Sequence, residues 1–491
     1  MLVKVENMKI IRNLHKNLNK GRIYLKVFIL FLAVMIVPAR EATITRSAGM
    51  GLDTDLSWMV DDQYPFVFLN PAAMKGYENN IYFEYFNTVQ MGGIFLPLMS
   101  GLSLGVFSGT TVDFQAFNST DFQSMYHTSG SDPAGIDFNN LSGASTTYRP
   151  LAARIDNADA NILENRNLEI ILSYKMGRIQ LGGALSYAFA SESQSDATTT
   201  TSTGVTSSEE AGLFKSEFRL ALGAILPVGG LIKELASSIS FTKFTLDNYY
   251  TRKISTSTTE NTARLESNGA FDIDLLNRVS LNFSRTHNIH AFFGYSLLNR
   301  STRATDQIGT NDLQSDYDRN GHRIRAGLSD ELNLSQRLGL FYGLELNYEI
   351  FSNDYQAVKR PTASNSEPYQ TSVYQLKWPL VLGLNASVSE NLDLRMGIRH
   401  NILNSGNNSE SNTQRINNAG TVTSSTVSSR SSFLSSGSNI SMGVSYTIDA
   451  LRFDWLTNVN ILKDGPYFIS GKENAWSTAF AVIFNYGKYM R

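Results

Sequence analysis

Apolar and polar residues alternate along one stretch of the chain after another. In Ile179–Ala190, Ile179, Leu181, Leu185, Tyr187 and Phe189 share one phase, and Gln180, Gly182, Ala184, Ser186 and Ala188 share the other. Leu338–Ile350 sets Leu338, Leu340, Tyr342, Leu344, Leu346, Tyr348 and Ile350 against Gly339, Gly343, Glu345, Asn347 and Glu349. Arg323–Leu334 and Leu392–Ile402 repeat the pattern. A period of two puts successive side chains on opposite faces of a strand. Sixteen strands are predicted, near residues 81–88, 90–96, 102–108, 167–176, 179–190, 213–226, 235–249, 270–284, 289–300, 322–334, 338–351, 372–388, 392–403, 437–448, 451–462 and 476–486.

The connections alternate in length. Short ones fall at Met176-Gly177-Arg178, Arg285–Asn288, Ser335–Arg337, Ser389–Asn391 and Asp449-Ala450. Long ones, rich in Ser, Thr and Asn, are expected at 109–166, 191–212, 251–268, 301–319, 353–371, 404–436 and 463–475. Short turns at one end, long loops at the other and an even strand count describe a transmembrane antiparallel β-barrel. Soluble sheets use strands of about 5–6 residues; most of these are longer, as tilted membrane strands are. Trp476, Phe480, Phe484 and Tyr486 share one phase of the last strand, and Tyr374 and Trp378 share a phase of another, as interfacial aromatic girdles would. The apolar phase is expected to meet lipid and the polar phase to line the lumen.

The N-terminus supports export. Val27–Val37 is an unbroken apolar run of eleven residues, followed by Pro38-Ala39. A helix needs ~20 apolar residues to cross a bilayer, so 1–39 reads as a cleaved signal peptide. This leader holds seven of the 42 basic residues and one of the 44 acidic ones, so the rest of the chain is acidic by eight charges. That balance argues against nucleic-acid binding, which needs a basic footprint.

Composition narrows the chemistry. Charged residues make up 18%, against about 25% in soluble domains. With no cysteine, disulfides, thiolate zinc and iron–sulfur sites are excluded. The six histidines are scattered, with no nucleophile-elbow motif near them. Asp316-x-Asp318-x-Asn320-Gly321 matches half of a calcium loop, but the position that requires a bidentate Glu is Gly327, so it reads as a polar turn. No enzyme, cofactor or metal is expected. The lumen phase carries Lys215, Glu217, Arg219, Asp272, Asp274, Arg278, Arg323, Arg325, Glu331, Glu345, Glu349, Arg395 and Arg399. These charges either brace the wall as pairs or select a charged solute.

Ahead of the first strand lie Thr45-Arg46-Ser47-Ala48-Gly49-Met50-Gly51, then Trp58-Met59-Val60-Asp61-Asp62, then Phe66-Val67-Phe68-Leu69-Asn70-Pro71-Ala72-Ala73-Met74. This run resembles the start of FadL/PorV-type outer-membrane proteins, the long-chain fatty acid transporter superfamily. Gly49-Met50-Gly51 stands where that family commonly has Met-Gly-Gly. The resemblance implies fourteen strands where the periodicity predicts sixteen, so an all-β transmembrane antiparallel barrel of 14–16 strands with an N-terminal plug is expected. It further implies a plug over 40–78, a barrel over 79–491, and plug or gating roles for Arg46, Gly49, Gly51, Asn70, Pro71 and Ala72.

Three functions stay open. The first, which the resemblance implies, is passive uptake of small hydrophobic molecules across the outer membrane of a Gram-negative-type cell. The others are a secretion-linked role with protein partners, and a surface role carried by the long loops. Phe114, Phe117, Phe122 and Tyr126 in the 109–166 loop suit a ligand-capture surface. Outer-membrane lipid and barrel-assembly machinery are the expected partners. A strand irregularity at Gly92-Gly93 with Pro97 is also expected, as an ordinary bulge rather than a lateral opening.

Overall fold

The computed structural model describes residues 50, 52, 54–60, 66–86, 89–111, 165–166, 168–200, 205–254, 260–284, 286–308, 311–357, 369–411, 413–416, 422–425, 430–458 and 478–489. The leader, Arg46, Gly49, Gly51, Phe114, Phe117, Phe122 and Tyr126 lie outside the described residues.

Sixteen antiparallel strands form a closed barrel. They are β1 Asn80–Phe86, β2 Val89–Met99, β3 Leu102–Ser108, β4 Leu168–Met176, β5 Ile179–Thr200, β6 Val205–Gly229, β7 Ile232–Ile254 and β8 Phe271–Asn282. They continue as β9 His287–Asn299, β10 Asn311–Ser335, β11 Leu338–Ala357, β12 Tyr369–Ser387, β13 Leu392–Ser411, β14 Arg430–Ile448, β15 Leu451–Asn458 and β16 Thr478–Asn485. Each strand pairs with its sequence neighbours, and β1 closes on β16 from Asn80↔Asn485 to Tyr85↔Phe480. The implied count of fourteen gives way to sixteen. Two short pieces, Glu260–Ser267 and Thr302–Ile308, extend the walls of β8 and β9 after breaks at 268–270 and 300–301, where Gly269 takes a φ of 74°.

The two faces differ as a bilayer requires. On β6, Phe218, Leu220 and Leu222 face outward and are exposed, while Glu217, Arg219 and Ala221 face inward and are buried. The same inversion runs round the barrel, with Ile239 and Phe241, Leu380 and Leu382, and Leu394 and Met396 exposed outside. An apolar exterior around a polar interior is the arrangement of a barrel solvated by lipid.

Four of the expected long loops, 191–212, 251–268, 301–319 and 404–436, are largely strand. β5, β6, β7, β10, β11, β12, β13 and β14 run for 19 to 25 residues, through segments read above as Ser/Thr-rich connections. A tilted strand crosses a bilayer in about 9–11 residues. Beyond that height both faces meet water, the apolar alternation ends, and the backbone ladder continues without it. Asp316–Gly321 lies within β10 and is strand, not turn. On the other side the described strands are shorter: β1–β4, β15 and β16 have 7 to 11 residues.

One local expectation holds at Pro97 but not at the glycines, and another is corrected. Register is continuous through Gly92 and Gly93, and the shift comes at Pro97/Met99, where proline cannot donate to the ladder. Gly93 has no Cβ because the Phe107 ring occupies that space. Tyr486 is not on the lipid-facing phase of β16. It begins a 3-10 turn, Tyr486–Tyr489, and its hydroxyl donates to the Phe95 carbonyl at 2.7 Å while its N–H donates to Asn79. Tyr486 thus staples β16, β1 and β2 where the barrel closes. Burial, then the Glu78 charge, raises its phenol pKa.

Candidate functional site: the lumen beneath the N-terminal segment

Residues ahead of β1 form three short elements: a 3-10 turn Thr54–Met59, a helical turn α1 Phe66–Leu69 and a 3-10 helix Pro71–Tyr77. Asn70 caps the last of these. Its Oδ1 accepts the Ala72 N–H at 3.1 Å, and Pro71 fills the first helical position, where a missing N–H costs nothing. The segment packs against inward-facing wall residues near the short turns, in two seats.

The first seat is a row of small residues that crosses five strands in register: Ser103 on β3, Ser173 on β4, Gly182 on β5, Gly223 on β6 and Ser238 on β7. A Cβ at Gly182 would overlap the Pro71–Ala72 peptide, and one at Gly223 would overlap the Asn70 amide. The serines donate to the segment: Ser173 to Ala72 O at 3.2 Å, Ser238 to Leu69 O at 2.8 Å, and Ser103 to the Glu78 carboxylate. Asn70 Nδ2 donates to Ser237 O at 3.2 Å and Ala224 O at 3.4 Å, two residues that face each other across β6 and β7. Arg219 adds a bond to Phe68 O at 3.0 Å. Short helical turns leave carbonyls without intrahelical partners, and here the wall supplies the donors.

The second seat holds Trp58 and Met59 across β9, β10 and β11. Trp58 is fully buried and stacks on Phe292, ring centroids 4.5 Å apart. Its Nε1 donates to Glu345 at 2.7 Å, and Glu345 accepts two bonds from Arg325 at 2.9 and 3.1 Å. Gly327 makes room for the indole and Gly343 for the Met59 side chain. Ser329 donates to Met59 O at 2.7 Å. Arg278 lies over the Phe66 ring at 4.1 Å and pairs with Glu234 at 2.5 Å.

Two apolar clusters lie around these seats. One cluster joins Val67, Met74 and Tyr77 to Tyr82, Met91, Phe95, Phe107 and Ile171 of the wall. A second joins Leu52, Leu56, Trp58, Met59 and Phe66 to Ile225, Phe292, Phe341 and Val381.

Other lumen charges pair with opposite ones. Arg219 faces Glu169 at 3.5 Å, Arg323 pairs with Glu349 at 2.8 Å, and Arg300 grips Asp272 with both terminal nitrogens. Arg395, Arg452, Asp393 and Asp454 form one network near the short turns. Interleaved pairs brace a wall; a selecting ring carries one sign. No group of metal-ligating side chains occurs among the described residues.

Of the residues picked out from the sequence, Asn70, Pro71 and Ala72 come together in the first seat. The sequence reading missed their hosts. Gly182 and Gly343 stood on the polar phase, but nothing in the alternation marks an inward glycine as a socket.

No family model matches the chain, and no curated protein does. Solved structures are similar in part. The toluene transporter TodX of Pseudomonas putida is 9% identical, with a TM-score of 0.36 over 92% of this chain and 99% of that one. The toluene transporter TbuX of Ralstonia pickettii is 10% identical, with a TM-score of 0.36 over 90% and 95%. The ferric yersiniabactin uptake receptor FyuA of Yersinia pestis is 9% identical, with a TM-score of 0.36 over 77% and 68%. Values of this size carry no inference about activity; the barrel is read from its own register.

Proposed function

We propose that the protein is an outer-membrane barrel for passive uptake of small hydrophobic molecules, with the segment ahead of β1 as its displaceable plug. The observation that carries this reading is the apolar inner wall beneath the segment. Phe95, Phe107, Ile171, Phe292, Phe341 and Val381 point inward and are buried against it. A channel for hydrated solutes has a polar lumen. Here, displacing the segment uncovers two apolar patches in an otherwise polar lumen at the short-turn end. The hydrogen bonds that seat the segment run largely from wall side chains to its backbone carbonyls, so water can replace them when it leaves.

The test uses the absence of native cysteine. Asn70→Cys with Gly223→Cys joins segment to wall, because a Cβ at Gly223 lies 3.0 Å from Asn70 Cγ, about the separation of one Cβ from the partner sulfur across an S–S bond of about 2.05 Å. Cells carrying the oxidised variant should lose uptake of a labelled small aromatic hydrocarbon, and reductant should restore it. Equal uptake in both states would refute the plug; uptake no better than in cells lacking the protein, in either state, would refute the transport role.

A further inference from the structure

We propose that His287 and Asp330 form a binding site on the outer face of the barrel for the primary-ammonium headgroup of a bilayer lipid. The site rests on the placement of the barrel in a bilayer and not on solute passage, so its failure leaves the uptake reading intact.

His287 is the first residue of β9, shortly after β8 ends at Asn282. It shares the outward phase of β9 with Ile289 and the exposed Phe293. Asp330 lies on the outward phase of β10, opposite Ile289 on one side and Tyr342 on the other. Its Oδ2 accepts His287 Nδ1 at 2.7 Å and the Tyr342 hydroxyl at 2.8 Å. The carboxylate side chain is 9% exposed and the imidazole 37%. Among the described residues no lysine or arginine pairs with Asp330. An ionisable group on the lipid-facing side is costly and rarely incidental.

The chemistry of the three groups selects the occupant. The bond to Asp330 requires a proton on Nδ1, which leaves the neutral ring's Nε2 as an acceptor. Nε2 has no protein partner among the described residues. The Tyr342 hydroxyl commits its proton to Asp330 and keeps its lone pairs. The rim is therefore made of acceptors around a carboxylate charge, which suits a cation that carries N–H donors. Leu328, two residues from Asp330 on the same outward phase, is 61% exposed, and Phe283 and Leu334 at the same strand ends are 69% and 55% exposed, so apolar surface for acyl chains is at hand. At the end of a strand, on the bilayer side, the cation within reach is a lipid headgroup.

The test is lipid retention measured by native mass spectrometry. Protein taken from nanodiscs of equal parts phosphatidylethanolamine, phosphatidylcholine and phosphatidylglycerol should hold the ethanolamine lipid about tenfold over the choline lipid, whose cation has no N–H. That preference corresponds to one charge-assisted hydrogen bond. His287→Phe and Asp330→Asn should abolish it, while His322→Gln, at another outward-facing histidine bonded to Tyr295, should keep it. The heat-modifiable gel shift confirms that each variant is folded. Tyr342→Phe, which leaves the His287–Asp330 bond in place, should weaken the preference and serves as a second variant should either of the first two misfold. Equal retention of the two lipids overturns the proposal. So does preference for the glycerol lipid, which would mean an imidazolium–phosphate contact. Displacement of the lipid by millimolar free ethanolamine would reassign the site to a soluble amine.

Discussion

The two ends of the lumen are built on the same alternating pattern and differ in what packs against it. Near the short turns the inward phase offers Gly, Ser and aromatic residues beside buried ion pairs such as Arg325 with Glu345, and the N-terminal segment packs against it. Toward the loops it offers paired charges such as Arg300 with Asp272 and Arg323 with Glu349. The difference follows from what each end must hold. A barrel of sixteen strands is too wide for its own side chains to fill, since about eight strands is the filling limit. At one end a second piece of chain packs against the wall. At the other, opposite charges reach across neighbouring strands to stiffen the wall.

Removing residues 45–74 should have the largest effect. The barrel should still show its heat-modifiable gel shift, and single-channel conductance in planar bilayers should rise well above that of the intact protein. Unchanged conductance with a folded barrel would erase the contrast between the two ends.

Glu345→Ala should cost about 3–5 kcal/mol, as breaking a buried ion pair does, because Arg325 and the Trp58 N–H both lose their acceptor. With the other three tryptophans replaced by Phe, Trp58 emission should shift to the red as the seat opens, and unfolding in urea should begin earlier.

Gly223→Val should cost about 1–3 kcal/mol, the range for overpacking. The added carbons meet Asn70 and Pro71 and not barrel backbone, so the expected outcome is an unseated segment in an intact barrel, read as brief openings in bilayer recordings. Gly339→Val, on the same phase near a turn but with only Asn333 at the edge of contact, should leave the closed state quiet.

Arg323→Gln should have the smallest effect. Its pair with Glu349 is about a quarter exposed on each side, and such pairs contribute about 0–1 kcal/mol. A change in urea midpoint as large as that of Glu345→Ala would show that the two ends are energetically alike.

The strand phases were legible because lipid imposes them: where one face meets hydrocarbon, every second residue must be apolar. The same logic explains the misreadings. β5 was expected to end at 190 and runs to Thr200, and β10 was expected to begin at 322 and begins at Asn311. Above the bilayer neither face is constrained, so the pattern fades while the hydrogen-bonded ladder persists. Tyr486 kept the phase of β16 in the sequence, but it follows the last paired residue, Asn485, and turns its hydroxyl to Phe95. A turn breaks the period of two, and alternation alone does not mark where that occurs.

Sequence by itself determined the barrel, the direction of its two faces and the Asn70-Pro71 turn that precedes β1. These depend on local pattern: a period of two, an Asx cap and a fixed proline φ. Only the tertiary structure decided where that turn is received. Gly182 and Gly223 are separated from Asn70 by more than a hundred residues, and they form one socket only because β5 and β6 pair in the register that sets them opposite each other. A one-residue slip would turn both glycines to the lipid face. Register is the sum of all the pairings round a closed sheet, and no single stretch of sequence contains it.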